Sequence, residues 1–275
     1  AAASVDVGTA LRKGGNELAI RCRALAPLLG GRRKPRARWR TKLVDGRLRF
    51  FRTMLLGRAP GFAPQPAAVG PWRPVSLERR RLVAVDVLTL RSRVDGEDGV
   101  LGVTAKVRGL GDFEVRAAAA TIGEGAASGP LEVLSAAGNE VELSGELRLP
   151  AVERWWPHTH GEPTLYPVRI EIEGEGGEVG IDAGRVGFRE LAAGPSADHE
   201  VLVDGLDLHL NGVRVFARGA VWTPEDFVNM APTAERLRVT LERVRAAGMN
   251  MLRIPGTAAY ELPLFHDLCD ELGIL

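Results

Sequence analysis

The sequence has little cysteine and no long apolar run. Two of its 275 residues are cysteines. Cys22 and Cys269 lie far apart among apolar neighbours, which predicts two buried free thiols and argues against a disulfide or a cysteine metal site. The apolar runs are broken by Arg, Asp or Gly well short of the ~20 residues that a membrane-spanning helix needs. The chain begins with neither an initiator methionine nor a basic segment followed by an apolar one. We therefore expect it to begin inside a domain, to have no membrane partner and to be cytoplasmic.

Acidic residues are scarce in the first 81 positions. That part holds 4 Asp and Glu against 19 Lys and Arg, a balance of +15, and the remainder holds 31 against 17, a balance of −14. The opposite charge of these two parts suggests that they form separate structural units in different environments. The run RRKPRARWR (32–40) groups six cations around Trp39. It is typical either of a nucleic-acid arm or of a loop that docks on an acidic domain of the same protein. We favour the loop and predict no nucleic-acid partner, because no nucleic-acid-binding fold accompanies the run.

Apolar and polar residues alternate along much of the chain. Near the N-terminus, VDVGTAL and ELAIRCRA resemble two strands around the turn RKGGN. From Arg81 onward, three runs have one apolar face each and Gly-rich turns between them, which favours an antiparallel sandwich of immunoglobulin-like type. The residues predicted to point inward are Leu101, Val103, Ala105, Val107, Val141, Leu143, Leu147, Leu149, Tyr166, Val168, Ile170 and Ile172.

A different pattern begins after about residue 193. DLHLNGVRVF predicts a hairpin that turns at Asn211 and Gly212. A helix capped by Thr233 and ended by Gly248 follows, then the short buried strand MNMLRI and a second helix ended by Gly273. Ile274 and Leu275 begin another strand. Alternating strands and helices predict a parallel α/β unit.

Five stretches resemble the family-2 glycoside hydrolases, and within them the β-mannosidase-like members. GPWRPVSLE resembles the end of their jelly-roll domain, and RWWPHTHGEPTLYPVRIEI and VGFRELAA resemble segments of their central sandwich. LHLNGVRVFARGAVWTPEDF resembles the opening of their catalytic barrel, and AAGMNMLRIPG with the later YE and FHDLCDELGIL resembles the next strand and helix. The stretches occur in family order and cover nearly the whole chain.

The resemblance implies a mainly β protein with three parts. Residues 1–79 would be the C-terminal part of a sugar-binding jelly roll, 80–192 an immunoglobulin-like β-sandwich, and 193–275 the first βα units of a (β/α)8 barrel. A complete barrel takes ~250 residues. We therefore expect this chain to be a piece of a longer enzyme, with open apolar edges that promote self-association.

The resemblance also implies a retaining mechanism with two glutamates, on β-glycoside substrates and without a cofactor. Both glutamates lie on later barrel strands in the family, so we expect no catalytic residue in this chain and no activity from it alone. Arg253 matches the family arginine near the nucleophile, where a cation keeps a carboxylate ionised. Trp222 matches the tryptophan at the top of the first barrel strand, where an indole can form a wall under a sugar ring. A structural ion pair and a core position are the alternatives for these two residues.

Other polar residues are interpreted as structural. A group of carboxylates at a turn and on an amphipathic helix is typical of caps and solvated faces, so none is assigned to catalysis. His158 and His160 are spaced for a metal, but no third ligand accompanies them and no metal is predicted. Trp155 and Trp156 are expected to pack domain against domain. The carboxylates set aside in this way are Glu225, Asp226, Glu261, Asp267, Asp270 and Glu271.

Three departures from the family pattern leave the substrate open. The Trp-Asp-Trp stretch of β-mannosidases is missing, Val221 stands where Asn is usual, and IPGTAAY replaces a stretch that usually has a Trp and several glycines. The leading hypothesis is part of a β-mannosidase-like hydrolase. A non-catalytic carbohydrate-binding or interaction module and a nucleic-acid binder that uses residues 32–40 are the alternatives.

Overall fold

The computed structural model describes residues 4–24, 27, 70–71, 74–193, 207–225, 232–255 and 260–275. Its largest part is a sandwich of two four-stranded antiparallel sheets. The first sheet contains β1 (Val83–Asp95), β2 (Asp98–Gly109), β6 (Glu140–Leu149) and β5 (Glu132–Ala137), in that order. The second contains β4 (Ala127–Pro130), β3 (Val115–Ile122), β7 (Tyr166–Gly174) and β8 (Gly177–Val186), in that order. This is the strand order of an immunoglobulin-like fold, as the alternation predicts.

The sandwich core comes from the alternating residues. Ten of the twelve side chains predicted to point inward are buried, and Val141 and Tyr166 are partly buried. The β2–β6 register places Leu101 opposite Leu147 and Ala105 opposite Leu143, so their side chains share one face. Because successive strand residues point to opposite faces, this register buries the apolar set of both strands together.

A small three-stranded sheet follows the sandwich. It joins β9 (Leu191–Ala193), β10 (Leu208–Leu210) and β11 (Val213–Val215), with β10 in the middle. Asn211 and Gly212 have φ angles of 51° and 81°, the two positive values that a type I′ turn requires. The predicted hairpin is confirmed.

The last part is a two-stranded parallel sheet covered by two helices. β12 (Gly219–Val221) pairs with β13 (Met251–Arg253), and α1 (Ala234–Ala246) and α2 (Pro263–Leu272) follow these strands. Thr233 caps α1 by accepting a bond from the Arg236 amide, and Gly273 ends α2 with φ 70°. These predictions are confirmed. No helix within the described ranges is long and apolar enough to cross a membrane.

Leu275 extends the parallel ladder. Its amide donates to the Asn250 carbonyl at 2.8 Å, and its carbonyl accepts from the Leu252 amide at 2.8 Å. Alternating bonds to residues two apart are the pattern of a parallel neighbour. The end of the chain therefore lies beside β13, where the sequence predicts the next strand.

The predictions for the N-terminal region are wrong or stay untested. VDVGTAL and ELAIRCRA form no strand, since residues 4–24 are almost all exposed and have no partner strand within the described ranges. An isolated hairpin is marginal in water without a third strand or a core, so this prediction is wrong. Cys22 is exposed, which also corrects its predicted burial. The basic run 32–40 lies outside the described residues, and a jelly roll over 1–79 stays a prediction.

The two thiols should differ sharply in reactivity. Burial raises the pKa of Cys269 to about 12, so its thiolate is scarce at pH 7.5, while Cys22 is exposed. We expect iodoacetamide to label one cysteine per native chain and two after denaturation. Mass spectrometry should find no label on the native Cys22→Ser variant. Native labelling of Cys269 would contradict its burial on the inner face of α2.

Candidate functional site

The parallel sheet brings the two site residues of the sequence analysis side by side. Val221 pairs with Arg253 in the register of β12 and β13, and the Trp222 amide donates to the Arg253 carbonyl at 2.9 Å. Both residues therefore lie at the carboxyl ends of adjacent parallel strands. In α/β barrels this end carries the active site.

The indole of Trp222 is buried rather than displayed. Trp222 is 7% exposed and lies in a cluster with Leu237, Leu241 and Phe265. The Phe265 ring is 4.9 Å away between centroids. The indole Nε1 donates to Oε1 of Glu261 at 2.8 Å. The side chain thus has the contacts of a core residue that supports the strand end.

Arg253 has a different environment. Its residue is exposed, and its guanidinium makes no hydrogen bond or ion pair with any other residue that the structure describes. A structural ion pair, the alternative considered for it, therefore has no partner in the described part of the chain. A cation held at the carboxyl end of a strand is suited to a carboxylate or to an oxygen-rich ligand.

Two of the carboxylates near this edge hold other side chains in place. Glu261 accepts the indole N–H of Trp222. Oε1 of Glu225 accepts from the Thr240 hydroxyl at 3.1 Å and lies 3.5 Å from Nε of Arg236, whereas its Oε2 is buried without a hydrogen-bond partner. Both residues therefore contact other side chains, where caps and solvated faces were predicted. Asp226 lies outside the described residues.

The three carboxylates of α2 have different environments. Glu271 bridges two elements, since it accepts from Arg238 of α1 at 2.6 Å and from Arg185 of β8 at 3.1 Å. Arg238 holds the pKa of Glu271 below its usual value, with a smaller effect of Arg185. Burial raises the pKa of Asp270. Asp267 is exposed, as a solvated face requires. For Glu271 and Asp270 the prediction of a solvated face is wrong, because it ignored the packing of α2 near the sandwich.

The Glu271 bridge should make stability depend on pH. Its folded pKa is lower than the unfolded value near 4.5. The bridge therefore contributes above about pH 4.5 and is lost as the pH falls through the folded pKa. We expect Glu271→Gln to lower the free energy of unfolding by up to about 1 kcal/mol at pH 7, because the pairs are partly exposed.

Urea unfolding between pH 7 and pH 3 measures this effect. The difference between Glu271→Gln and the parent should shrink towards pH 3, while Glu132→Gln, an exposed position on β5, should show no such trend. A difference that is constant with pH would argue against the bridge.

The segment 155–161 of the sandwich lies against the opposite end of the parallel sheet. Trp155 is 1% exposed, and its indole N–H donates to the Asp270 carbonyl at 2.8 Å. The His158 amide donates to the Gly273 carbonyl at 3.0 Å, and its Nε2 donates to the Met249 carbonyl at 2.9 Å. Trp155 therefore packs between the sandwich and the elements that follow it.

The two histidines are structural in this arrangement. His158 is engaged by Met249, and Nδ1 of His160 bonds with the Thr159 hydroxyl at 2.8 Å. The described residues contain no group of three metal-ligating side chains. The sequence analysis overlooked Asn250, a fully buried residue beside this segment. A lone Asn within the apolar run MNMLRI is the signal that could have identified it.

The family model and the sequence relatives that match this chain point to the same kind of protein. Residues 84–189 match the model of the glycosyl hydrolases family 2. The β-mannosidase of Mus musculus is 28% identical over 232 residues, which are 78% of this chain and 25% of that protein. The β-mannosidase of Capra hircus is 38% identical over 126 residues, or 45% of this chain and 14% of that protein. This chain therefore spans a quarter or less of the length of these relatives.

A solved structure agrees with the sequence relatives. The β-D-mannosidase of Dictyoglomus thermophilum superposes with a TM-score of 0.60 at 28% identity, covering 70% of this chain and 24% of that one. An exo-chitosanase of Amycolatopsis orientalis superposes with a TM-score of 0.56 at 21% identity, over 70% of this chain and 22% of that one, and shares the fold. The chain is similar to glycoside hydrolase family 2, and within that family to β-mannosidases.

Proposed function

We propose that this chain is part of a retaining β-glycosidase with β-mannosidase-like specificity. The observation that carries the proposal is the exposed guanidinium of Arg253 at the carboxyl end of β13, which has no partner among the residues that the structure describes, in a chain similar to β-mannosidases. A cation there would hold the nucleophilic carboxylate ionised and oriented towards the anomeric carbon.

We further propose the division into 1–79, 80–192 and 193–275, with the last part as the beginning of a (β/α)8 barrel. The parallel pairing of β12 and β13, the helices that follow them and the ladder bonds of Leu275 support this division. Trp222 would support the sugar site without contacting the sugar, since its indole packs on Phe265 and donates to Glu261.

In this proposal the two catalytic glutamates come from outside this chain. Glu225 and Glu271 are engaged with basic side chains, and Glu261 holds an indole N–H. Retaining enzymes need two carboxyl groups about 5–5.5 Å apart that are free to contact the glycosidic bond. The chain alone would therefore be inactive.

The isolated chain is also proposed to self-associate. Gly219, Ala220 and Val221 of β12 are all exposed, and β12 has one hydrogen-bonded neighbour within the described residues. An open strand edge beside apolar surface is a template for pairing with another chain.

Hydrolysis of a panel of nitrophenyl glycosides tests the function. The panel includes the β-mannoside, β-glucoside, β-galactoside and β-glucuronide, with the α-mannoside as a control. We expect the full-length gene product to cleave the β-mannoside best and to leave the α-mannoside intact, and the 275-residue chain to cleave none. Activity of the 275-residue chain would overturn the placement of the glutamates.

Failure of the full-length product on every β-glycoside would overturn the enzyme proposal. Affinity for a β-linked sugar would then support the carbohydrate-binding alternative. Affinity for nucleic acid that falls steeply with salt would support the third hypothesis.

A further inference from the structure

We propose that Asn250 is a positioning residue that sets the place of Arg253, and that Thr159 of the sandwich takes part in the same device. This inference rests on the proposed glycosidase function. It makes the sandwich part of the machinery that shapes the sugar site, rather than a spacer.

Asn250 is completely buried and fully hydrogen-bonded. Its Oδ1 accepts from the Arg218 amide at 2.9 Å. Its Nδ2 donates to the Phe216 carbonyl at 3.1 Å and to Oγ1 of Thr159 at 2.9 Å. Its backbone N–H donates to the Arg218 carbonyl at 2.9 Å, and its carbonyl accepts from Leu275 at 2.8 Å. A buried amide with every polar group satisfied fixes its neighbours, because any displacement leaves a buried polar group unpaired.

These bonds join three separate segments at the amino ends of the parallel strands. Phe216 and Arg218 lead into β12, Leu275 lies beside β13, and Thr159 belongs to the sandwich-side segment 155–161. Asn250 itself immediately precedes β13. It therefore fixes β13 relative to both neighbours and to the sandwich.

The Thr159 hydroxyl has two hydrogen-bond partners in this network. Since its Oγ1 accepts from Nδ2 of Asn250, its own hydrogen is available for Nδ1 of His160 at 2.8 Å. The adjacent His158 holds Met249 and Gly273 from the same segment. Segment 155–161 thus bonds to residues just before β13, Met249 and Asn250, and to Gly273 at the end of α2.

A shift at Asn250 would be transmitted to Arg253. Asn250 immediately precedes β13 and Arg253 ends it, so the two residues are three positions apart, roughly 10 Å in extended backbone at about 3.3 Å per residue. Neither glycine nor proline lies between them. A misplacement of a catalytic or supporting group by ~1 Å can cost on the order of 100-fold in rate. Loss of the bonds at Asn250 would therefore displace Arg253 and lower the rate.

Hydrogen exchange on the 275-residue chain tests the placement of β13. Thr159→Val removes one bond to Asn250 at nearly constant volume, and Asn250→Ala removes all three side-chain bonds. We expect exchange at Leu252 and Leu275 to accelerate at least ~10-fold in Thr159→Val and more in Asn250→Ala. Amides of β2 and β6 should be unchanged. Asn139→Ala is the matched control, because that Asn bonds Gly109 within the sandwich.

Kinetics of the full-length gene product test the positioning of Arg253. We expect Thr159→Val to lower kcat ~10-fold per titrated active site while KM stays within ~2-fold, and Asn139→Ala to change neither. In an Arg253→Lys background, Thr159→Val should cost less than ~2-fold, because the two residues act through one path. Additive losses in this cycle would overturn the positioning role.

The exchange and kinetic experiments test different parts of the proposal. Unchanged exchange at Leu252 and Leu275 in both variants would overturn the claim that Asn250 fixes β13, whatever the enzyme does. If the full-length product cleaves no β-glycoside, the proposed function and the role of Arg253 in it fall together, while the exchange arm still decides whether Asn250 and Thr159 hold β13.

Discussion

Replacing Trp155 with alanine is expected to lower the free energy of unfolding by about 3–5 kcal/mol, the range for a large buried aromatic. Trp155 is 1% exposed and packs with Leu208, Leu210 and Val215. Its indole N–H bonds the Asp270 carbonyl, and Arg189 stacks on its ring at 4.4 Å from the centroid. The substitution removes all of these contacts between the sandwich and the parts that follow it.

Urea unfolding of three variants separates the contributions. Trp155→Phe keeps most of the apolar volume and leaves the Asp270 carbonyl unpaired, so it should cost about 1–3 kcal/mol. Trp156→Ala is the neighbouring control, and it should cost less than Trp155→Ala because Trp156 is only partly buried. A loss for Trp155→Ala no larger than that for Trp156→Ala would contradict the larger contribution of Trp155 to the packing of the sandwich against the elements that follow it.

Replacing Gly273 with alanine is expected to cost about 2–4 kcal/mol, of which about 1–2 kcal/mol is the penalty for a left-handed backbone. Gly273 has φ 70°, and an added Cβ would lie 2.5 Å from the amide nitrogen of His158. That atom is backbone and is already bonded to the Gly273 carbonyl, so the contact is relieved only by moving the sandwich segment away from α2.

Gly248 provides a matched control for this prediction. It also follows a helix and has φ 74°, but an added Cβ would meet no atom within 4 Å. Gly248→Ala should therefore cost only the backbone penalty, about 1–2 kcal/mol. The difference between the two variants, measured by thermal or urea unfolding, isolates the contact with His158. Equal costs would contradict the close approach of segment 155–161 to α2.

The sequence predicted local structure best where one rule decides it. Alternation identified the inward faces of β2, β6 and β7, because a sheet with one buried face requires it. Asn211 and Gly212 identified the hairpin and Gly273 a helix end, because few residues suit a positive φ. Thr233 identified a helix start, because its hydroxyl accepts from a backbone amide of the first turn. These signals are local and need no knowledge of the remaining fold.

The sequence failed where a distant partner decides the outcome. VDVGTAL has the pattern of a strand, but no neighbour pairs with it in the described part of the chain. Glu271 has the pattern of a solvated helix face, but Arg185 approaches from the sandwich, 86 positions away. Asn250 acquires its role from Thr159, 91 positions away. Helical or strand periodicity cannot reveal such contacts, because they depend on how domains pack.

The most direct test of the central claim is to trap the glycosyl-enzyme intermediate. The full-length gene product is incubated with a 2-deoxy-2-fluoro-β-mannosyl fluoride, digested and mapped by mass spectrometry. A retaining enzyme forms a covalent bond between its nucleophile and the sugar. We predict one labelled glutamate outside this 275-residue sequence, and slower labelling in Arg253→Lys. A label on Glu225, Glu261 or Glu271 would contradict the account, as would full turnover of β-mannosides with no labelled residue.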